Sequence, residues 1–206
     1  MSFISFGDSW PAGEELLPND QTFGQIIATK LGYDFINYSQ SCTGVPHILL
    51  QLKKCLEENP VCKTTMLFSL SSASRSIYFN NSWKEIQVNE PDIVSKTYYK
   101  YLHSNQLDSL MFSTYILALQ KMCSYYNIND YYVSCWSPVE LFLPGINQEK
   151  IYPKTLVNIL GCGAKSNDYE IKVDRKHETI IPNLCHPNAL GHRLIADELF
   201  SWINHV

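Results

Sequence analysis

Phe3-Ile4-Ser5-Phe6-Gly7-Asp8-Ser9-Trp10 is a short apolar run that breaks at a glycine and delivers a serine to the first turn beyond it. A run of this length bounded by a turn reads as a buried strand, Phe3 to Phe6. Gly7 lets the backbone bend tightly, so that the hydroxyl of Ser9 is presented at the strand's end. A serine in that place is more often a helix N-cap than a nucleophile, so the reading turns on what stands elsewhere in the chain.

Working outward, Gln21 to Leu31 sets Phe23, Ile26, Ile27 and Leu31 on one helical face, with Gly32 in the position of a C-terminal cap. Phe35 to Tyr38 reads as a second strand. Pro46 to Leu56 repeats the helical spacing at Ile48, Leu49, Leu52 and Leu56 until Asn59-Pro60 stops it. Met66 to Leu70 is a third strand, and the polar stretch Ser71 to Pro91, rich in Ser and Asn, reads as a long loop. Lys96 to Tyr126 predicts one or two helices, Tyr131 to Trp136 a fourth strand and Leu156 to Leu160 a fifth. The chain closes with a helix over Ala189 to Ile203 that turns Leu190, Leu194, Ile195, Leu199 and Trp202 inward.

Strands alternating with helices predict an α/β fold, a three-layer α/β/α arrangement around a central, mostly parallel, five-stranded flavodoxin-like sheet. At 206 residues the chain is expected to form one domain, 1–206, with a core that needs neither disulfide nor structural metal. In a parallel sheet with right-handed crossovers, the loops starting near Gly7, Ser39, Ser71 and Trp136 gather at one edge, where ligands of such folds bind.

Composition narrows the function. A formal charge of -4 with no basic cluster longer than Lys53-Lys54 argues against a nucleic-acid partner, which requires concentrated positive potential. Mean hydropathy of -0.15 is that of an ordinary globular protein. No apolar stretch approaches the roughly 20 residues of a membrane span, and the N-terminus lacks the basic and apolar regions of a signal peptide; a cytoplasmic location and no membrane partner are expected. Seven cysteines, an odd number without CxxC spacing, fit reduced thiols. Neighbouring Cys185 and His186 are too close in sequence for usual zinc spacing, so no metal and no cofactor are expected.

The far end supplies the partner that Ser9 lacks. His186-Pro187-Asn188-Ala189-Leu190-Gly191-His192-Arg193-Leu194-Ile195-Ala196 closely resembles the last block of SGNH (GDSL-like) hydrolases, and Ile4-Ser5-Phe6-Gly7-Asp8-Ser9 resembles their first. Ser39-Gln40-Ser41-Cys42-Thr43-Gly44 stands where that family's glycine block stands. The opening through Glu14 is also similar to SGNH-like proteins of tailed bacteriophages, for which the location would be the host cytoplasm or the virion. The resemblance implies an esterase in which Ser9 is the nucleophile and His186 the base. It further implies an oxyanion hole from the backbone N–H groups of Ser9 and Gly44 and a polar side chain after the third strand. The expected substrate is a small-molecule or carbohydrate ester, such as an O-acetyl group on a sugar.

Two positions depart from the pattern. The family's Asp three residues before the histidine is Asn183, which can orient an imidazole through its carbonyl oxygen but cannot stabilise the imidazolium by charge; an Asp to Asn change in the serine-protease template costs about 10⁴ in turnover. A Ser-His dyad helped by a backbone carbonyl, or a replacement acid such as Asp174 or Glu178, are the alternatives. The family's Gly-x-Asn-Asp is Ser71-Ser72-Ala73-Ser74-Arg75, where Ser72 is the candidate donor and Arg75 a candidate anchor for an anionic substrate group. Trp10 is a further candidate for substrate contact. His192 reads as packing or capping at the last helix, with the alternative that it is the base; Asn188 reads as that helix's N-cap, and Asp8 as an acceptor for its own loop. Two competing readings stay open: an SGNH-fold binding or assembly module that has lost efficient catalysis, and a flavodoxin-like binder without covalent chemistry.

Overall fold

The computed structural model describes residues 1–58, 63–86, 92–136, 143–163, 165–167, 170–181 and 185–206. Strands β1 (Ser2–Phe6), β2 (Asp34–Asn37), β3 (Thr64–Leu70) and β6 (Asn129–Ser134) form one parallel sheet in the order β2-β1-β3-β6. Helices α2 (Phe23–Leu31), α3 (Val45–Glu58), α5 (Asn105–Tyr125) and α7 (Ala189–Ile203) cover it. This is the three-layer α/β/α arrangement expected from the alternating pattern.

Alternation along the strands divides the core. Phe3, Leu67, Tyr131 and Val133 pack with α2 and α7, while Ile4, Phe6, Met66, Phe68, Leu70 and Tyr132 pack with α3 and α5. Successive side chains of a strand point to opposite faces, and here both faces are buried. On the α3/α5 face, Phe6, Phe68 and Tyr132 are in register on neighbouring strands, and their rings stack at 4.8 and 5.0 Å. Offset contacts of this kind add to what burial alone supplies.

The strand expected at Leu156–Leu160 is a short helix, α6, capped by the Thr155 side chain and closed by left-handed Gly161. The position beside β6 holds only a single parallel bridge, Ile151 to Tyr132, so the described sheet has four strands and not five. Part of the supposed loop after β3 is an antiparallel hairpin, β4 (Ser76–Asn80) and β5 (Ser82–Ile86), turned by left-handed Asn81. The region 96–126 resolves into α4 (Ile93–Tyr101) and α5, with Ser104 as the N-cap of the second. The two remaining strands, β7 (Lys165–Asn167) and β8 (Glu170–Lys172), pair only with each other.

The inward stripe of α7 is His192, Ile195, Ala196, Leu199 and Ile203; Leu190 and Leu194, expected inward, are exposed. The rotation follows from Gly191, which lies against the Thr179 carbonyl so closely that a Cβ would sit 2.4 Å from its oxygen. His192 then enters the core, where its Nδ1 accepts the backbone N–H of Phe23 at 3.1 Å and joins α7 to the first turn of α2. Burial pushes its pKa down to about 4, so the ring is neutral near pH 7.

Gly191→Ala tests this contact. Alanine favours a helix over glycine by about 1 kcal/mol, yet the overpacked Cβ costs about 1–3 kcal/mol. Urea denaturation is therefore expected to find the variant less stable than the parent, against the helix-propensity trend.

Candidate active site

The β2-β1-β3-β6 order reverses direction between β1 and β3, and the carboxyl ends of those two strands define the crevice in which ligands of flavodoxin-like sheets bind. β1 leads through Gly7 into α1 (Ser9–Ala12), a single turn. Gly7 has φ 146°, and a Cβ there would meet the Ser69 carbonyl oxygen at 2.6 Å and Pro11 at 2.7 Å. Only glycine lets the chain leave β1 this close to β3.

Asp8 caps the turn, accepting the N–H of Trp10 at 3.2 Å, and is fully buried. Burial raises its pKa; the opposing influences are the charge of Arg75 and the hydrogen bond from the Ser71 hydroxyl, which donates at 2.7 Å. The Arg75 guanidinium lies 3.7 Å from the Asp8 carboxylate and also donates to the Thr43 carbonyl at 3.2 Å. Thr43 in turn donates to the Gly7 carbonyl at 3.0 Å. Gly44, next in sequence, rests on the Cβ of Arg75. One buried carboxylate thus ties together the loops that follow β1, β2 and β3.

His186 reaches Ser9 from the other side of the crevice. Its Nε2 lies 3.0 Å from the Ser9 Oγ, and its Nδ1 lies 2.5 Å from Oε2 of Glu15. A carboxylate only accepts, so the Nδ1–H donates to Glu15 and the Nε2 lone pair faces the hydroxyl of Ser9. The loop bearing His186 is fixed at several points. The Trp10 indole N–H donates to the Cys185 carbonyl at 3.1 Å, and the Ile181 N–H to the His186 carbonyl at 2.8 Å. Asn188 caps α7 and anchors to the Glu178 carbonyl at 2.6 Å.

Ser9 and His186 are therefore brought within hydrogen-bond distance, and Gly44 lies against Arg75, whereas other expectations shift. Trp10 is completely buried, edge-on to Trp136; it supports the His186 loop and has no surface to offer a substrate. Arg75 is committed to Asp8 and Thr43, which accounts for its charge without an anionic ligand. The Ser72 hydroxyl pairs with that of Ser74 at 2.8 Å, while its neighbour Ser71 makes the contact to Asp8. Asn183 lies outside the described residues. Asp174 caps its own turn through the N–H of Lys176, and Glu178 contributes a backbone carbonyl; the carboxylate beside His186 is that of Glu15.

Glu15 escaped the sequence reading because nothing in its type or spacing sets it apart. The available signal was Gly13, which closes α1 in a left-handed conformation and turns the chain back so that the Glu14 N–H bonds the Ser9 carbonyl. Glu15 itself has φ 69°, and Cys185, adjacent to the histidine, has φ 61°. Non-glycine residues held in this region cost of order 1 kcal/mol each and gather where geometry is over-determined by function. Among the described residues no group of three or more His, Cys, Asp or Glu is arranged to hold a metal, and no helix is long and apolar enough to cross a membrane.

The sheet order and the crevice at its switch point define a flavodoxin-like α/β domain with a Ser-His-Glu constellation at the edge. Solved structures similar to the chain over its full length include lipolytic proteins of the G-D-S-L family and esterases. One is a member of the lipolytic G-D-S-L family from Veillonella parvula, with a TM-score of 0.56, 12% identity and all of both chains covered. Another is the psychrotrophic esterase EstA from Pseudoalteromonas sp., with a TM-score of 0.57, 16% identity and coverage of 99% of this chain and 97% of that one. A third is the acetyl xylan esterase AlAXEase, with a TM-score of 0.52, 13% identity and 98% coverage of each. No family model matches the sequence, and no curated protein does. The chain has the SGNH-hydrolase fold.

Arg75→Ala would leave the buried Asp8 carboxylate without its counter-charge. Breaking a buried pair in this way costs roughly 3 kcal/mol, a loss that urea denaturation near pH 7 would measure. Protonated Asp8 needs no counter-charge, and its pKa is already raised. The deficit relative to the parent is therefore expected to shrink as pH falls through that pKa.

Proposed function

We propose that the chain is a serine ester hydrolase in which Ser9 is the nucleophile, His186 the general base and Glu15 the carboxylate that orients and stabilises the imidazole. The observation that carries this reading is the continuous line Glu15–His186–Ser9, with contacts of 2.5 and 3.0 Å, at the switch-point edge of the sheet. Ser9 Oγ attacks the acyl carbon while its proton passes to Nε2. The resulting imidazolium is stabilised by the Glu15 carboxylate, and it returns the proton to the departing alcohol. Water then attacks the acyl-enzyme, giving one proton to His186, and Ser9 leaves with that proton as the acid is released. The developing oxyanion is assigned to the backbone N–H groups of Ser9 and Gly44, each such donor being typically worth about 3 kcal/mol of transition-state stabilisation.

Glu15 resolves the difficulty posed by Asn183. A triad requires that a carboxylate reach Nδ1, and it is indifferent to the side of the histidine from which the chain supplies it. The likeness to EstA and to an acetyl xylan esterase supports an ester, and within esters an O-acetyl group on a carbohydrate, as the substrate. The second reading, a binding module with weakened chemistry, is favoured by one feature, the serine-rich Ser71–Ser74 loop in place of the family's Asn donor.

A fluorophosphonate probe separates the two. The hydrolase reading expects covalent labelling of the parent and none of Ser9→Ala; a parent protein that stays unlabelled would favour the binding module. Glu15→Gln is expected to lower kcat for p-nitrophenyl acetate by roughly 10²- to 10⁴-fold with little change in KM. Unchanged turnover in Glu15→Gln would remove the acid from the mechanism.

A further inference from the structure

We propose that a pocket on the α3/α5 side of the crevice is a subsite for a neutral, hydroxylated, sugar-like part of the ester substrate. This inference rests on the hydrolase reading and extends it to a substrate class. The pocket has a volume of about 140 Å³ and lies between the start of α3, the loop after β3, and helices α4 and α5. Pockets for whole ligands run from about 300 Å³ upward, so this one suits a single group of a larger molecule.

Its position links it to the reacting centre. Val45 and Pro46, on one wall, directly follow Gly44, the proposed oxyanion glycine. Arg75, on another, is the residue that pairs with Asp8 immediately before Ser9. The Tyr99 hydroxyl donates to the Ser74 carbonyl at 2.6 Å and so fixes the loop carrying Arg75 against α4. The pocket and the nucleophile consequently share one rigid frame.

The lining has two characters. Val45, Pro46, Met111 and Phe112 are apolar, whereas Asp108, Tyr98 and Tyr115 bring an acceptor and two hydroxyls. A sugar presents the same combination, an apolar C–H face and a polar rim. An anionic group is disfavoured: the wall offers it the carboxyl group of Asp108, and the charge of Arg75 is already engaged by Asp8. Asp108 is buried in the first turn of α5, and Oδ2 of its carboxylate lies 2.7 Å from His103 Nε2. That contact holds the carboxyl group in place.

The test compares two esters, p-nitrophenyl acetate and a monoacetylated methyl xyloside, on the parent protein, Tyr115→Phe and Met111→Trp. Tyr115→Phe removes one hydroxyl from the rim; Met111→Trp starts from a half-exposed side chain and fills the space without touching the Asp108–His103 pair. The readout is the ratio of kcat/KM for the sugar ester to that for the nitrophenyl ester. It is expected to fall roughly 3- to 10-fold in Tyr115→Phe and at least about tenfold in Met111→Trp. A ratio unchanged in both variants, or a parent that cleaves the nitrophenyl ester but not the sugar ester, would overturn the subsite and leave the hydrolase standing. A parent inactive on both esters and unlabelled by fluorophosphonate would remove the hydrolase reading, and the subsite with it.

Discussion

A carboxylate shut away from water at the carboxyl edge of a parallel sheet is the constraint around which this molecule is organised. An ionised group in that position is tolerated only when hydrogen bonds and a counter-charge replace its hydration. Asp8 obtains them from two loops: Trp10 from its own turn, and Ser71 and Arg75 from the loop between β3 and β4. Because Arg75 also holds the Thr43 carbonyl, the loop after β2 is drawn into the same cluster. Satisfying one buried charge therefore positions Ser9 and Gly44 relative to each other, before any substrate is considered.

The opposite wall of the crevice is built on different physics. His186 sits on a loop clamped by main-chain hydrogen bonds to the Thr179–Ile181 segment and by the Trp10 indole, and α7 seats on the same segment through the close approach of Gly191. Trp10 belongs to the serine's own turn, so the turn that presents Ser9 also holds the loop that presents His186. Left-handed Glu15 and Cys185 flank the imidazole contact from both chain directions. The strain in those two residues is sustained by a packed core on each face of the sheet, where the Phe6–Phe68–Tyr132 stack and the α2–α7 contacts supply the stability that the edge gives up.

What could be read from the sequence follows the range over which each signal acts. The inner strands β1 and β3 were legible because a doubly covered strand must be apolar on both faces, and α2 because its amphipathic stripe ends in a glycine cap. Leu156–Leu160 misled because a five-residue apolar run between turn residues has no period that separates strand from helix; the Thr155 cap decided it. Leu190 and Leu194 satisfied the helical spacing, but the stripe's orientation was set by Gly191 against the Thr179 carbonyl, a tertiary contact that helical spacing does not encode. At the site, Ser9 and His186 were legible because the short segments around them resemble the first and last blocks of SGNH hydrolases. Glu15 was not, since its place depends on a left-handed reversal and on a contact with a residue 171 positions away.

In the proposed mechanism, an acid at Glu15 instead of position 183 has a structural consequence. An acid placed three residues before the histidine would share the histidine's stretch of chain, and any movement there would carry both groups together. An acid placed six residues after the serine is tied instead to the turn that bears Ser9, through Gly13 and the bond between the Glu14 N–H and the Ser9 carbonyl. The Glu14 carboxylate is further tethered by the Ser41 hydroxyl, which brings the loop after β2 into the arrangement. In this chain, two of the three members of the constellation would move with α1, and the imidazole would dock between them. The loop that carries His186, held by Trp10 and the Thr179–Ile181 segment, fixes the imidazole between them.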